Sequence, residues 1–179
     1  MKPAEYPKEL DSDKLAEIIS EGGAFSHRFE RFEPRKQQIE MLQAVSNAFS
    51  QGHHMMIEAG TGTGKSFAYL IPAFEWAIQN GERVVISTNT INLQDQLINK
   101  DIPELSDILE TELRATVQKG RGNYLCPLRF TNMQTRQAST PEEMRVLGKV
   151  LVWLHENGTG DRGDLNVNGP LESEVWGRI

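Results

Sequence analysis

The sequence predicts an α/β fold, a parallel sheet with flanking helices, on three observations. His54-Met55-Met56-Ile57 is a short apolar run of strand length, and Phe67 to Ile78 repeats apolar residues (Phe67, Leu70, Ile71, Phe74, Ile78) at helical spacing. Arg83-Val84-Val85-Ile86-Ser87-Thr88 is a second apolar run bounded by polar residues and reads as a buried strand. Strand, helix and strand in that order make a βαβ unit, whose crossover is almost always right-handed and sets its two strands parallel.

In chain order, the first ten residues, with two prolines and mixed charge, read as a loosely held tail. Asp11-Ser12-Asp13 offers an N-cap for a helix carrying Leu15, Ile18 and Ile19, and Gly22-Gly23 ends it. Phe25 to Glu33 is aromatic and charged. After Pro34 an amphipathic helix places Ile39, Leu42, Val45 and Phe49 on one face, closed by Gly52. The helix after the first strand contains Pro72, a potential bend, and Asn80-Gly81 is its C-cap or turn. Asn89 to Ile98 is expected to be helical, with Ile91 or Leu93 and Leu97 inward. Ile102 to Leu113 is helical in part through Leu105, Ile108 and Leu109, and Leu113 to Gln118 fits a third strand. Glu142-Glu143 after Pro141 reads as first-turn charge on a helix with Met144, Leu147, Val150, Leu151 and Leu154.

Between the first strand and its helix lies Glu58-Ala59-Gly60-Thr61-Gly62-Thr63-Gly64-Lys65-Ser66. A phosphate-binding loop has Gly, four residues, then Gly-Lys-Ser/Thr. Here Ala59 replaces the first Gly, while Gly64, Lys65 and Ser66 match, with strand and helix on the required sides. Gly60, Gly62 and Gly64 free the backbone to aim N–H groups at phosphate oxygens, and the following helix adds its positive N-terminal end. Lys65 would reach the β- and γ-phosphates, and the Ser66 hydroxyl would ligate Mg²⁺.

The length of 179 residues suits one ordinary domain, or one and part of another. The net charge of −6 gives no global electrostatic reason to expect nucleic acid. No apolar run of about eighteen residues and no apolar signal core occur, so a soluble cytoplasmic protein without a membrane partner is expected. The single cysteine, Cys126, excludes an internal disulfide framework. From Arg114 to Pro141 there is no Asp or Glu, while Arg114, Lys119, Arg121, Arg129 and Arg136 occur with Tyr124 and Phe130 among them. Cations that track phosphates and rings that stack on bases suit single-stranded nucleic acid; the alternative is a solvated basic face with both rings packed inward. Asp164-Leu165-Asn166-Val167-Asn168-Gly169 matches half of a calcium loop, but Val175 stands where the bidentate Glu belongs. Asn157-Gly158-Thr159 is a glycosylation sequon that matters only in a secreted chain.

Four blocks together resemble the N-terminal part of the XPD/DinG group of superfamily 2 DNA helicases, in particular its bacterial DinG branch. They are Phe32-Glu33-Pro34-Arg35-Lys36-Gln37-Gln38, the phosphate loop, Ser87-Thr88-Asn89-Thr90-Ile91-Asn92-Leu93-Gln94, and Lys119-Gly120-Arg121-Gly122-Asn123-Tyr124-Leu125-Cys126. The resemblance covers residues 10 to 130. It implies an adenine-recognising motif with Gln38 on the base edge and Arg35 nearby, an amide being able to donate and accept at once. The third block resembles a motif that contacts the DNA backbone, through Thr88, Thr90 and Gln94, although a strand-to-helix cap is the simpler reading. The fourth implies DNA contacts from Arg121 and Asn123, and places Cys126 as the first of four ligands of a 4Fe-4S cluster.

The resemblance further implies a partial RecA-like motor domain at residues 25–120, after a tail and helix at 1–24, and the first half of a mainly helical iron–sulfur insertion at 121–179. The parent would be a monomeric, ATP- and Mg²⁺-dependent 5′–3′ helicase on single-stranded DNA in repair or replication. No apolar run ends in the Asp-Glu pair that holds Mg²⁺ and activates water. The chain is therefore expected to be an N-terminal piece that binds ATP without hydrolysing it, and to expose apolar sheet edge. Two other readings stand beside it: a non-catalytic nucleotide- or DNA-binding module, and a small P-loop kinase, which would need an arginine-rich lid that is not evident.

Overall fold

A computed structural model describes residues 6–29, 32–60, 62–136, 140–156, 158–167 and 169–179. The chain forms two compact units, one ending at Val117 and one running from Gln118 to Ile179, each with its own apolar core.

In the first unit, α1 (Ser12–Ile18) begins where the Asp11 carboxylate accepts the backbone N–H of Lys14 at 3.0 Å, satisfying a donor that the helix cannot use itself. The chain ahead of it is pinned. Lys8 N–H donates to Asn80 Oδ1 at 2.7 Å, and Leu10 N–H to Ser50 Oγ at 2.8 Å, so the expected loose tail is ordered from Lys8. A short α2 (Ala24–Arg28) follows, which the sequence did not announce. The long α3 (Lys36–Gln51) and α4 (Lys65–Asn80) pack on each other and end alike, at Gly52 and Gly81, both at φ 64°. That left-handed conformation costs a glycine least. Leu15, Ile19, Phe25, Leu42, Leu70, Ile71 and Leu105 form the centre of the core. Pro72 is buried inside α4 without ending it.

The expected strands differ most from the structure. Residues 53–60, 82–87 and 112–120 run outside any helix, but no β-ladder joins them among the described residues. Val84 and Ile86 pack on the core, whereas Val85 is 89% exposed and Met56 98% exposed. The second run is thus covered on one face only among the described residues. Apolar patterning sets which side chains want cover; it does not supply a neighbouring strand to accept the backbone hydrogen bonds.

Asn89–Ile98 and Ile102–Leu113, expected as two helices, are one continuous rod. It comprises α5 (Ile91–Gln96), a π-helical turn at Leu97–Asp101, and α6 (Ile102–Ile108). Pro103 has no N–H for the ordinary i→i−4 ladder, and the wider turn lies directly before it. Leu97 and Leu105 face the core, as does half-buried Leu93, while Ile91 is exposed.

The second unit holds α7 (Pro127–Thr135), α8 (Pro141–His155) and α9 (Pro170–Trp176). Thr140 caps α8 by accepting the Glu143 N–H at 3.2 Å, and Glu142 and Glu143 occupy its first turn. Phe130, Val146, Val150, Val175 and Trp176 make the core. The Trp176 indole donates to the Gly122 carbonyl at 2.9 Å, and Cys126 N–H to the Ile179 carbonyl at 2.7 Å. No group of three potential metal ligands occurs among the described residues, and Asn168 of the half calcium loop and Asn157 of the sequon lie outside them. No described helix is long and apolar enough to cross a membrane.

Two measurements follow from this arrangement. Met56→Ser with Val85→Ser should reduce concentration-dependent association in sedimentation while leaving stability within about 0.5 kcal/mol, because both side chains are exposed. The Asp161 carboxyl is subject to burial, which raises its pKa, but hydrogen bonds from Lys119 and the Gly163 N–H and the ammonium charge together hold it below its usual value. Its stabilisation is therefore present above the ordinary carboxylate pKa of about 3.9 and is lost as pH falls through the lower folded value. Lys119→Met should cost about 1–2 kcal/mol at neutral pH in denaturant unfolding, with the difference from the parent shrinking towards pH 2.

Candidate nucleotide site

The phosphate loop sits between residues 53–60 and the first turn of α4, and it needs its glycines for two separate reasons. Gly62 and Gly64 lie at φ 76° and 79°, where a side chain would strain the backbone. A Cβ on Gly64 would also fall 2.4 Å from Gln38 Nε2. Gln38, 5% exposed in the first turn of α3, donates that nitrogen to the Gly64 carbonyl at 3.0 Å. Arg35, one residue before α3, donates its guanidinium to the Gly62 carbonyl. The first block and the loop, distant in sequence, are thus one hydrogen-bonded assembly. Gln38 is neither a solvated helix residue nor a cap.

The loop is also satisfied from within. Thr63 Oγ1 donates to the Gly60 carbonyl at 3.0 Å, and Lys65 Nζ reaches back to the Ala59 carbonyl at 2.7 Å. Ser66 is half-buried in the first turn of α4, one turn before Tyr69. Burial pushes the Tyr69 phenol above its usual pKa. Thr61 lies outside the described residues.

Beside the loop opens a cleft of about 550 Å³, the size of a small-ligand site, lined by Phe25, Phe29, Phe32 and Phe67 with Arg35, Gln38 and Gly64. Phe25 packs edge-on to Phe67 at 4.9 Å. In the sequence alone, Phe25 to Glu33 reads only as aromatic and charged. The available signal was Phe25, Phe29 and Phe32 at helical spacing just before the Arg35–Gln38 block. A larger cleft of about 690 Å³ is lined by Asp11, Glu17, Glu21 and Glu75 against Lys14 alone among cations, a charge balance that repels phosphate.

The remaining expected residues are placed as follows. Thr88 Oγ1 donates to the Thr90 carbonyl at 3.1 Å, and Thr90 caps α5 by accepting the Leu93 N–H at 3.3 Å, so both hydroxyls serve the local backbone. Gln94 is half-buried on α5. In the second unit Arg121 is exposed and Asn123 Nδ2 donates to the Gly120 carbonyl at 3.0 Å. Phe130 is buried in the core, and the Tyr124 hydroxyl accepts the Lys119 N–H at 2.8 Å. Of the two rings in the basic stretch, Phe130 is thus taken into the core, while Tyr124 is half-buried and held by its hydroxyl. Cys126 is half-buried at the start of α7. A 4Fe-4S cluster takes four thiolates, and this chain has one, so these residues by themselves do not fit that group.

The pattern of DEAD/DEAH box helicases matches residues 35–129, a stretch that begins at Arg35 and takes in the whole loop. The chain belongs to the DEAD/DEAH box helicase family. Its helicase-like segment is similar to the ATP-dependent DNA helicase YoaA of Haemophilus influenzae, 39% identical over 83% of this chain and 23% of that protein. It is similar also to the ATP-dependent helicase DinG of Mycobacterium tuberculosis, 39% identical over 73% of this chain and 22% of the relative. The protein named 3'-5' exonuclease DinG in Bacillus subtilis is 35% identical over 87% of this chain and 17% of its own length. The chain thus spans about a fifth of the length of these curated relatives.

Gly64→Ala in this DEAD/DEAH box chain should abolish binding of a fluorescent ATP analogue, because it combines a strained φ with a Cβ 2.4 Å from Gln38 Nε2. Thermal unfolding should register a destabilisation of about 1–3 kcal/mol.

Proposed function

We propose that this chain holds the ATP- and Mg²⁺-binding portion of an ATP-dependent DNA helicase that acts on single-stranded DNA. The observation that carries this reading is the tie from Arg35 and Gln38 to the carbonyls of Gly62 and Gly64, which sets an aromatic cleft beside a phosphate loop. Backbone N–H groups of residues 60–65 would cradle the phosphates and Lys65 would exchange the Ala59 carbonyl for a phosphate oxygen. The metal, held in part by Ser66, would neutralise phosphate charge. The cleft would take the base. One N–H of Gln38 Nε2 is engaged with the loop, so its carbonyl oxygen and its second N–H are left for a base edge.

The helicase names of the relatives support the helicase reading, and the resemblance of the four blocks supports 5′–3′ movement, work in repair or replication, a cytoplasmic location and a monomeric parent. A RecA-like sheet with flanking helices at 25–120, ahead of a helical insertion at 121–179, is the matching architecture. Thr88, Thr90, Gln94, Arg121 and Asn123 are the proposed DNA contacts. Cys126 would join a cluster only with three thiolates from outside this chain. A second reading, a nucleotide-binding module without turnover, is favoured for residues 1–179 by the absence of an Asp-Glu pair at the end of an apolar run.

Both readings meet in one experiment. Residues 1–179 should bind ATP with Mg²⁺ and lose at least about tenfold in affinity as Lys65→Ala, while turnover stays near background. In a full-length parent, hydrolysis should rise with single-stranded DNA and vanish in the same variant. Unchanged ATP affinity in Lys65→Ala would exclude the loop as the site, and robust hydrolysis by residues 1–179 would exclude the non-catalytic reading.

A further inference from the structure

One charged side chain of the aromatic cleft has no part in the binding described so far. Glu33 lines the cleft together with Phe32, Arg35 and Gln38. It is exposed and makes no ion pair among the described residues. The other charged side chains of the cleft, Arg28 and Arg35, are cationic and suit a phosphate, which a carboxylate repels. An ionised carboxylate only accepts hydrogen bonds, so it can serve only a ligand group that donates them.

The backbone fixes where this carboxylate stands. Pro34 confines the residue before it to extended conformations, and Arg35 is itself extended, at φ −111° and ψ 119°. In an extended run, side chains two residues apart leave on the same side, with about 6.6 Å between their Cα atoms. Glu33 therefore stands on the side of Arg35, whose guanidinium is anchored on the Gly62 carbonyl of the phosphate loop. At the other end of this short strip, the Phe32 ring lies 5.8 Å from that of Phe25, among the rings of the cleft. The strip thus runs from the loop to the rings, with Glu33 between them.

A nucleotide has the same order, with the sugar between phosphates and base. Its donors to a carboxylate are the ribose hydroxyls and any amine on the base, and Gln38 already faces the base edge in the reading above. The hydroxyls remain, and a carboxylate holds a ribose hydroxyl in this way in dinucleotide-binding folds. We propose that Glu33 is a sugar-recognising residue, its carboxylate accepting hydrogen bonds from the ribose 2′ and 3′ hydroxyls and so selecting ribonucleotides over their deoxy forms. This assignment rests on the ATP site proposed above and adds the part of the ligand that the site selects.

The test is calorimetric titration of residues 1–179, and of the Glu33→Ala variant, with ATP and with 2′,3′-dideoxy-ATP in the presence of Mg²⁺. The unmodified chain should bind ATP about fivefold or more tighter than the dideoxy nucleotide. Glu33→Ala should bring the two dissociation constants within about twofold of each other, with the melting temperature retained because the residue is exposed. Removing a negative charge acts on both nucleotides alike, since both carry the same triphosphate, and so cancels in the ratio; a loss of folding would cancel in the same way. Equal affinities in the unmodified chain, or a ratio unaltered in Glu33→Ala, overturn the role of Glu33 while leaving the ATP site in place. Failure of the unmodified chain to bind either nucleotide overturns both this role and the functional reading beneath it.

Discussion

The contact between the Gln38 amide and the Gly64 carbonyl is the constraint on which the candidate site depends. It joins the first turn of α3 to the residue that begins α4, across 26 positions of sequence. One hydrogen bond of this kind contributes only about 1 kcal/mol net, so it does not hold the unit together. That is the work of α3 and α4 packing through Leu42, Leu70 and Ile71, all nearly or fully buried. What the contact supplies is register. With no Cβ at position 64, the amide can approach the loop backbone, and with a left-handed Gly64 the loop turns directly into the helix.

Given that register, the charge in the loop is arranged for exchange. Lys65 Nζ rests on a neutral carbonyl, Ala59, and Arg35 on another, Gly62. An ammonium is attracted more strongly to the full charge of an anionic oxygen than to the dipole of a carbonyl. A phosphate at the proposed site would take the place of the Ala59 carbonyl on Lys65, with Gly62 and Gly64 already in their left-handed conformations.

Local features were legible in the sequence wherever one short stretch determined them. Asp11 as a cap, Gly52 and Gly81 as helix stops, the acidic first turn at Glu142-Glu143, and the Gly64-Lys65-Ser66 end of the loop all follow from residue type and neighbour. The aromatic cleft was not, because Phe29 and Phe32 gather on Phe25, and Phe25 meets Phe67, 42 positions on, only through tertiary packing. The continuity of α5 into α6 was obscured because Pro103 and the polar run before it look like a break, and a π turn leaves no simple mark in apolar spacing. The strands were read from apolar runs, yet pairing is a property of two segments. Val85, bare beside half-covered Val84 and Ile86, shows how a run can satisfy one face and leave the other without a partner.

The acid-free stretch from Arg114 to Pro141 shows the complementary limit of composition. Within the second unit, Lys119 is paired with Asp161 at 2.8 Å, Lys149 with Glu172 at 2.8 Å, and Arg178 with Glu143; Arg162 lies over the Trp176 ring at 6.0 Å. The carboxylates in these pairs all come from Glu143 onward, so the basic stretch contributes Lys119 to the fold and keeps Arg121, Arg129 and Arg136 exposed, without an ion pair among the described residues. With Phe130 in the core, half-buried Tyr124 is the one ring of that stretch with exposed surface left, and its hydroxyl is tied to the backbone of Lys119. What those three guanidiniums can still offer a polyanion is attraction to phosphate, a term that carries no base preference and weakens steeply with salt. Any selectivity for sequence or for unpaired bases must then come from groups other than these guanidiniums.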